Sequence, residues 1–284
     1  MHPEITVVMA TQDRRDRVLA TLEQLLALPE RPPVIVVDNA STDGTADAVR
    51  ARFPSVQVLV QDRNLGAVGR TVGVRAAATP YVAFADDDSW WAPGALARAV
   101  QHLDAAPRLA VLAARILVGP EERVDPVCAL MAASPLPREP DLPGPSVLGF
   151  VACGAVVRRD AYLAVGGFSP VIGFLGEEDV LSQDLAAAGW GLAYVDDVVA
   201  HHHPARGPAA PGRARLQRRN ALLSLWLRRP LSVALSRTAH AAARPKEHGS
   251  LVDALRRLPS ALAQRRVLPR ELEEQVLLLE RSDR

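Results

Sequence analysis

The sequence predicts an α/β fold: a mostly parallel sheet flanked by helices, followed by a helical C-terminal extension. Three observations predict it. Short β-branched runs alternate with amphipathic stretches from residue 5 onward, and polar residues gather in the turns after these runs rather than before them. Beyond residue 204 the pattern becomes helix after helix without a strand.

The first strand covers residues 5–10, and residues 11–16 form the loop at its C-terminal end. A helix follows whose apolar face carries Val18, Leu22, Leu25, Leu26 and Leu28, and Pro32-Pro33 stops it. The second strand, 34–37, runs into Asp38-Asn39-Ala40-Ser41-Thr42-Asp43-Gly44, where the next helix begins; residues 56–60 form the third strand. Asn64-Leu65-Gly66 leads through Arg70 into a helix ending near Ala78, and 81–85 is the fourth strand. Alternation at this spacing calls for parallel pairing with right-handed crossovers. In such a sheet the ligand crevice lies beyond the C-terminal strand ends. Asp13, Asp38, Asp43, Asn64 and Asp86 to Asp88 all fall there. Each alone reads equally as a turn former or helix cap; their coincidence favours a shared ligand.

The fourth strand breaks into three consecutive carboxylates. Alternate residues of an extended segment point the same way, so Asp86 and Asp88 are expected to face one ligand and Asp87 to turn elsewhere. A few hard oxygen donors at a strand end suit Mg²⁺ or Mn²⁺, with water and phosphate oxygens completing the shell. The local alternative is an acidic turn in which Asp88 or Ser89 caps the helix that Pro93 opens.

Farther on, a helix carries Leu96 to Leu103 and 109–114 is a strand. Residues 134–147 hold five prolines and form a long irregular loop, either a flap on the acceptor side or a surface excursion. Residues 147–157 and 192–195 return to strand pattern. Between them Glu177-Glu178-Asp179 head a helix, and His201-His202-His203 follow the last strand.

Hydrophobic residues at 49% against 23% charged make an ordinary globular balance, and no apolar run approaches eighteen residues, so no membrane span is expected. The chain passes from Met-His-Pro-Glu straight into a strand, which predicts no leader and a cytoplasmic protein, with contact at the inner face of the membrane left open. Cys128 and Cys153 read as two buried thiols. The net charge of +1 hides an asymmetry: residues 205–284 hold 17 of the 33 basic side chains but only 7 of the 32 acidic ones. This basic tail is expected to dock on the acidic body; a peripheral membrane contact through its helices is the alternative. No nucleic-acid partner is expected.

Val7-Val-Met-Ala-Thr-Gln-Asp-Arg14, Val36-Val-Asp-Asn-Ala-Ser-Thr-Asp-Gly44, Asn64-Leu-Gly66 and Phe84-Ala-Asp-Asp-Asp88 resemble the successive motifs of the family 2 glycosyltransferases of the GT-A fold. The likeness covers roughly residues 4–204. It implies a catalytic domain over 1–204, with a nucleotide-sugar half at about 1–118 and an acceptor half at about 119–204, and an extension over 205–284. The reaction implied is metal-dependent, inverting transfer of a sugar from a UDP, dTDP or GDP sugar to a hydroxyl on a glycan, a lipid-linked molecule or a small molecule.

By the same resemblance, Thr11, Asp13, Arg14, Asp38, Asn39, Asn64, Gly66, Arg70, Asp86 and Asp87 would bind the nucleotide-sugar, Asp38 accepting from the base and Arg70 meeting the diphosphate. Asp86 and Asp88 would hold Mn²⁺ or Mg²⁺, joined by His201 or His203, which share a face if the segment is extended. Asp179, or else Glu178, would be the general base, kept ionised by the helix N-terminus. The family pattern has an Asp two residues after this acid; here that position is Leu181. Two alternatives stand beside this reading: a sugar-phosphate nucleotidyltransferase, whose glycine-rich first loop is missing from residues 10–17, and a nucleotide-sugar-binding protein without turnover.

Overall fold

The structure is a computed structural model that describes residues 4–204 and 212–282. Its first half alternates β1 (Ile5–Thr11), α1 (Arg15–Leu26), β2 (Val34–Asp38), α2 (Thr45–Arg52), β3 (Gln57–Val60), α3 (Val68–Ala76) and β4 (Tyr81–Ala85). Then come β5 (Ser89–Trp91), α4 (Ala95–Ala105), β6 (Leu109–Val118), β7 (Arg123–Val124), α5 (Pro126–Ala132), β8 (Ala155–Arg158), α6 (Arg159–Ala164), α7 (Glu177–Ala187) and β9 (Gly191–His202). The extension comprises α8 (Arg213–Arg228), α9 (Leu231–Ala242), α10 (His248–Ala263) and α11 (Arg270–Ser282). Met1–Pro3, read above for a leader, and the expected junction after residue 204 at 205–211 lie outside the described residues.

The sheet runs β3-β2-β1-β4-β8-β6-β9-β5, with β7 on β6. The first four strands in that order are parallel, as is β6 with β9, whereas β8 is antiparallel to both neighbours. Both faces of β1, β2 and β4 are covered, which is why these strands read as nearly continuous apolar runs. Val7, Met9 and Val36 face α1 and α4 through Leu22, Leu25, Leu96 and Leu103. Val8, Ile35, Val37 and Phe84 pack on the other side with Val74, Tyr162 and Phe168. Each fully buried side chain of this size contributes about 1.5–3 kcal/mol.

Several expectations need correction. Of the strand read at 147–157, only β8 forms; a 3₁₀ turn at Ala152–Gly154 precedes it. Gly154 lies so close to β6 that a Cβ there would stand 2.6 Å from Ile116 Cγ1. Pro93 opens no side-chain cap: α4 starts after Gly94, whose φ of +80° only glycine adopts readily, while the Ser89 hydroxyl accepts from the Asp86 amide at 2.7 Å. The proline-rich loop is packed on the body and is no inert excursion. Leu136 and Leu142 are buried, and Arg108 bonds Asp141 through Nε at 2.7 Å. Finally, β9 continues to His202 and pairs with the unforeseen β5, opposing Ser89 to His202 and Trp90 to His201.

The basic extension docks on the acidic body, the simplest expectation for it. Leu222, Leu223 and Leu227 pack against Val171, Ile172 and Val180, and Val276 of α11 shares a cluster with Leu148. Arg228 reaches both oxygens of Asp184, at 2.5 and 2.7 Å. Asn220 donates to the Phe174 and Leu175 carbonyls at 2.6 and 2.7 Å, holding the loop that enters α7.

Candidate active site

Thr11 and Asp38 are register partners at the C-terminal ends of β1 and β2. The Ser41 amide donates to Asp38 Oδ1 at 2.6 Å, whereas Asp38 Oδ2 is buried without a partner. Thr11 donates to Asp87 Oδ2 at 2.9 Å, and Thr21 donates to the Asp87 carbonyl at 2.7 Å. Asp87 therefore does turn away from its neighbours, and burial raises its pKa.

Several predicted nucleotide contacts have local work here. Asn39 is buried and donates to the Gly66 carbonyl at 3.1 Å, so it shapes the 64–66 turn. Asn64 accepts from the Gly66 amide at 2.7 Å and donates to Gln12. Gly66 has φ +60°, and a Cβ there would lie 2.7 Å from the Gly173 carbonyl oxygen. Exposed Asp13 ties two crevice loops by accepting from the Thr42 amide at 2.7 Å. Exposed Arg14 precedes α1, within the electrostatic reach of Asp87.

The two outer carboxylates have different partners. Asp86 is hydrogen-bonded by buried Arg70, whose Nη1 lies 3.9 Å from Glu177 Oε1 on α7. Asp88 accepts from Arg17 Nη1 at 3.0 Å and faces His202 Nε2 at 3.5 Å, and the bond from Asp88 raises the His202 pKa. His201 and His203 do share a face, but it is the other one. His201 stacks on Trp90 at 5.5 Å and meets Glu122 at 3.3 Å, while His203 sets its edge to Trp90 at 4.6 Å. The histidine brought to the acidic cluster is His202.

At the head of α7 the acids diverge by helical rotation. Glu177 is buried against Arg70; burial pushes its pKa up against the pull of the guanidinium. Glu178 is half-buried, and desolvation followed by repulsion from Glu177 pushes its carboxyl up to about 8. Asp179 is open to solvent but crowded by the walls of a cleft, and desolvation pushes it up to about 6. The helix N-terminus thus does not keep these acids at ordinary values: lost hydration outweighs the dipole. Glu178 lies in the field of Arg70, whereas desolvation alone accounts for the shift at Asp179. Cys153 is a buried free thiol whose pKa burial drives well up, so it stays protonated.

Asp179 stands in a cleft of about 520 Å³ between the body and the extension. A second cleft, of about 460 Å³, lies at the opposite ends of β1 to β3 and contains no ionisable side chain. Among the described residues no three acids, thiols or imidazoles converge as a ready-made cation cluster. The donor chemistry nonetheless fits Mn²⁺ or Mg²⁺: Asp88 and His202 offer oxygen and imidazole side by side, with Asp86 two residues away.

Sequence inspection passed over Arg17, Glu177 and His202. For His202 no local signal existed, since β5 pairing decides which face it takes. For Glu177 the run of three acids was the signal, each turned about 100° from the last on a helix.

This sheet, with its crevice at the strand ends and an acid-headed helix beside it, is the architecture of GT-A glycosyltransferases. The Glycosyl transferase family 2 profile matches residues 6–166, and the chain belongs to that family. It is 31% identical over 246 aligned positions, covering 73% of this chain and 79% of the relative, to the N-acetylglucosaminyl-diphospho-decaprenol L-rhamnosyltransferase of Mycobacterium tuberculosis. Two solved structures share the fold. The mannosyltransferase PcManGT of Pyrobaculum calidifontis, in complex with GDP-Man and Mn²⁺, is 22% identical at a TM-score of 0.57, over 99% of this chain and 76% of that one. S. aureus TarS 1-349, in complex with UDP-GlcNAc, is 15% identical at 0.60, over 90% and 73%. The chain is accordingly a glycosyltransferase, and the nucleotidyltransferase and binding-protein alternatives fall away.

Proposed function

We propose that this glycosyltransferase uses a divalent metal and transfers the sugar of a UDP, dTDP or GDP sugar to an acceptor hydroxyl with inversion. The observation that carries the reading is the position of Arg70, which touches Asp86 at the end of β4 and approaches Glu177 at the head of α7. The donor-side and acceptor-side acids thus border one point. Mn²⁺ in a complex of a fold neighbour supports the metal, as does the donor set of Asp88, His202 and Asp86. When bound, the ion would supply charge neutralisation to the departing diphosphate.

The chain's own residues have the remaining roles. Asp38 Oδ2, buried and unpaired, accepts an N–H of the base; Thr11 stands beside it and Asn39 and Asn64 shape the adjoining wall. Arg70, freed from Asp86, reaches the diphosphate. Asp179 is the base in this reading because it stands in the cleft and, at about 6, is ionised near neutral pH; Glu178, one position before it and up at about 8, orients the acceptor. The base accepts the acceptor's proton as its oxygen attacks the anomeric carbon and the carbon–oxygen bond to the diphosphate breaks.

The extension is also assigned a peripheral membrane contact. No helix among the described residues is long and apolar enough to cross a membrane, but α9 and α10 expose Leu231, Leu235, Val252, Leu255 and Leu262 beside arginines. Flotation with anionic liposomes that is insensitive to Leu235→Ser and Leu255→Ser removes this contact.

The deciding experiment is a thermal-shift titration with UDP, dTDP, GDP, ADP and CDP, each with and without Mn²⁺ or Mg²⁺. A metal-dependent shift with one of the first three is expected. Equal shifts with and without metal overturn metal dependence, and no shift with any diphosphate overturns the donor site.

A further inference from the structure

The cleft that holds Asp179 is not accounted for by the donor. Its apolar walls include Leu130, Met131 and Phe150 from the catalytic body and Leu225, Val276 and Leu279 from α8 and α11, with Gln183, Gln217 and Glu280 among the polar side chains of the lining. The apolar part of the lining is mostly aliphatic, which suits a flexible hydrocarbon chain better than a flat ring. The volume of about 520 Å³ lies in the range of small-molecule sites. Leu130, 64% exposed, continues the apolar wall out to the rim.

The cleft is directional. At one end the Asp179 carboxylate lies beside Gly149 and Gly176; ideal Cβ atoms on those glycines would stand 3.7 and 3.9 Å from its oxygens. Glu178 is the next residue on α7. Arg229, also in the wall, is 3% exposed: its Nε bonds Glu273 at 2.6 Å and its Nη1 bonds Glu280 at 2.6 Å, while buried Nη2 has no partner.

We infer that this cleft seats the hydrocarbon part of the acceptor, so that the acceptor is an alkyl- or prenyl-linked head group whose hydroxyl reaches the acids of α7. The inference rests on the transfer reaction proposed above and adds to it the acceptor class and the role of the extension. One wall of the acceptor site is built by α8 and α11.

The test uses the full chain with methyl, butyl and octyl β-D-glucopyranoside below their micellar concentrations, binding being followed by saturation-transfer NMR. Affinity should rise at least about tenfold from methyl to octyl, because each buried methylene adds to the transfer free energy. Ala221→Trp, at an exposed lining position of α8, and Leu130→Asp should abolish that rise while leaving the melting temperature unchanged. Octyl binding no tighter than methyl, or a gain that both variants preserve, overturns the inference. Nucleoside-diphosphate binding with Mn²⁺ is followed in parallel: its absence counts against the transfer reaction, whereas the alkyl series by itself judges the cleft.

Discussion

His202 Nε2 stands 3.5 Å from Asp88 Oδ1, across the antiparallel pairing of β9 with β5. The contact ends a long strand on the acidic cluster and excludes its two neighbours, which are committed to Trp90. His202→Ala should raise the Mn²⁺ concentration needed for nucleoside-diphosphate stabilisation at least about tenfold. His201→Ala and His203→Ala should change it by no more than about twofold. A thermal-shift titration of the three variants decides, and equal losses would remove His202 from the site.

Asp179→Asn should lower turnover by roughly 10² to 10⁴, the usual worth of a positioned general base. Glu178→Gln should act mainly on KM for the acceptor. Steady-state kinetics on both variants separates the roles, and a larger loss of kcat at Glu178 would make it the base.

Glu178 also makes stability depend on pH. Its folded pKa, about 8, is raised above an unfolded value of about 4.3, so stability present at low pH is lost as pH rises through the folded value. Asp179, at about 6, adds in the same direction from its unfolded value of about 3.9. The melting temperature of the ligand-free chain should fall between pH 5 and pH 9, with a shallower fall in Glu178→Gln. An unchanged slope in that variant would place the titration elsewhere.

Asp38→Asn should preserve the fold, because the amide oxygen still accepts from the Ser41 N–H. What it should lose is the buried acceptor presented to a base N–H, which amounts to about tenfold in affinity for the preferred nucleoside diphosphate. Calorimetric titration with UDP, dTDP and GDP checks this. Unaltered affinity for all three would show that Asp38 does not meet the base.

Arg228 and Asp184 form a two-bond pair with side-chain exposures of 6% and 11%. Arg228→Met alone should cost about 3–5 kcal/mol, since it leaves a buried carboxylate unpaired. Arg228→Met with Asp184→Leu should recover most of that. Denaturant unfolding of the two variants measures the difference, and an equal loss in both would assign the cost to packing rather than charge.

The polar cluster at the strand ends was legible because its chemistry is local. Thr11, Asp38 and Asp86 to Asp88 stand at the ends of short apolar strands whose period and termination are written in neighbouring residues. The bond from Asn39 to the Gly66 carbonyl was not legible, because an Asn after a strand looks the same whether it faces a ligand or holds another loop. The acids of α7 were found, but their pKa values depend on how much protein surrounds each carboxylate, which no spacing encodes.

By itself the sequence determined the fold class, the family and the gathering of polar residues at the C-terminal ends of the first strands, because periodicity and turn chemistry act over a few residues. Tertiary structure alone decided the rest. The pairing of β5 with β9 selected His202, Arg70 linked Asp86 to Glu177 from separate elements of the chain, and α8 and α11 closed a cleft over Asp179. Each of these is a contact between segments far apart in the chain, set by packing and desolvation rather than by any local pattern.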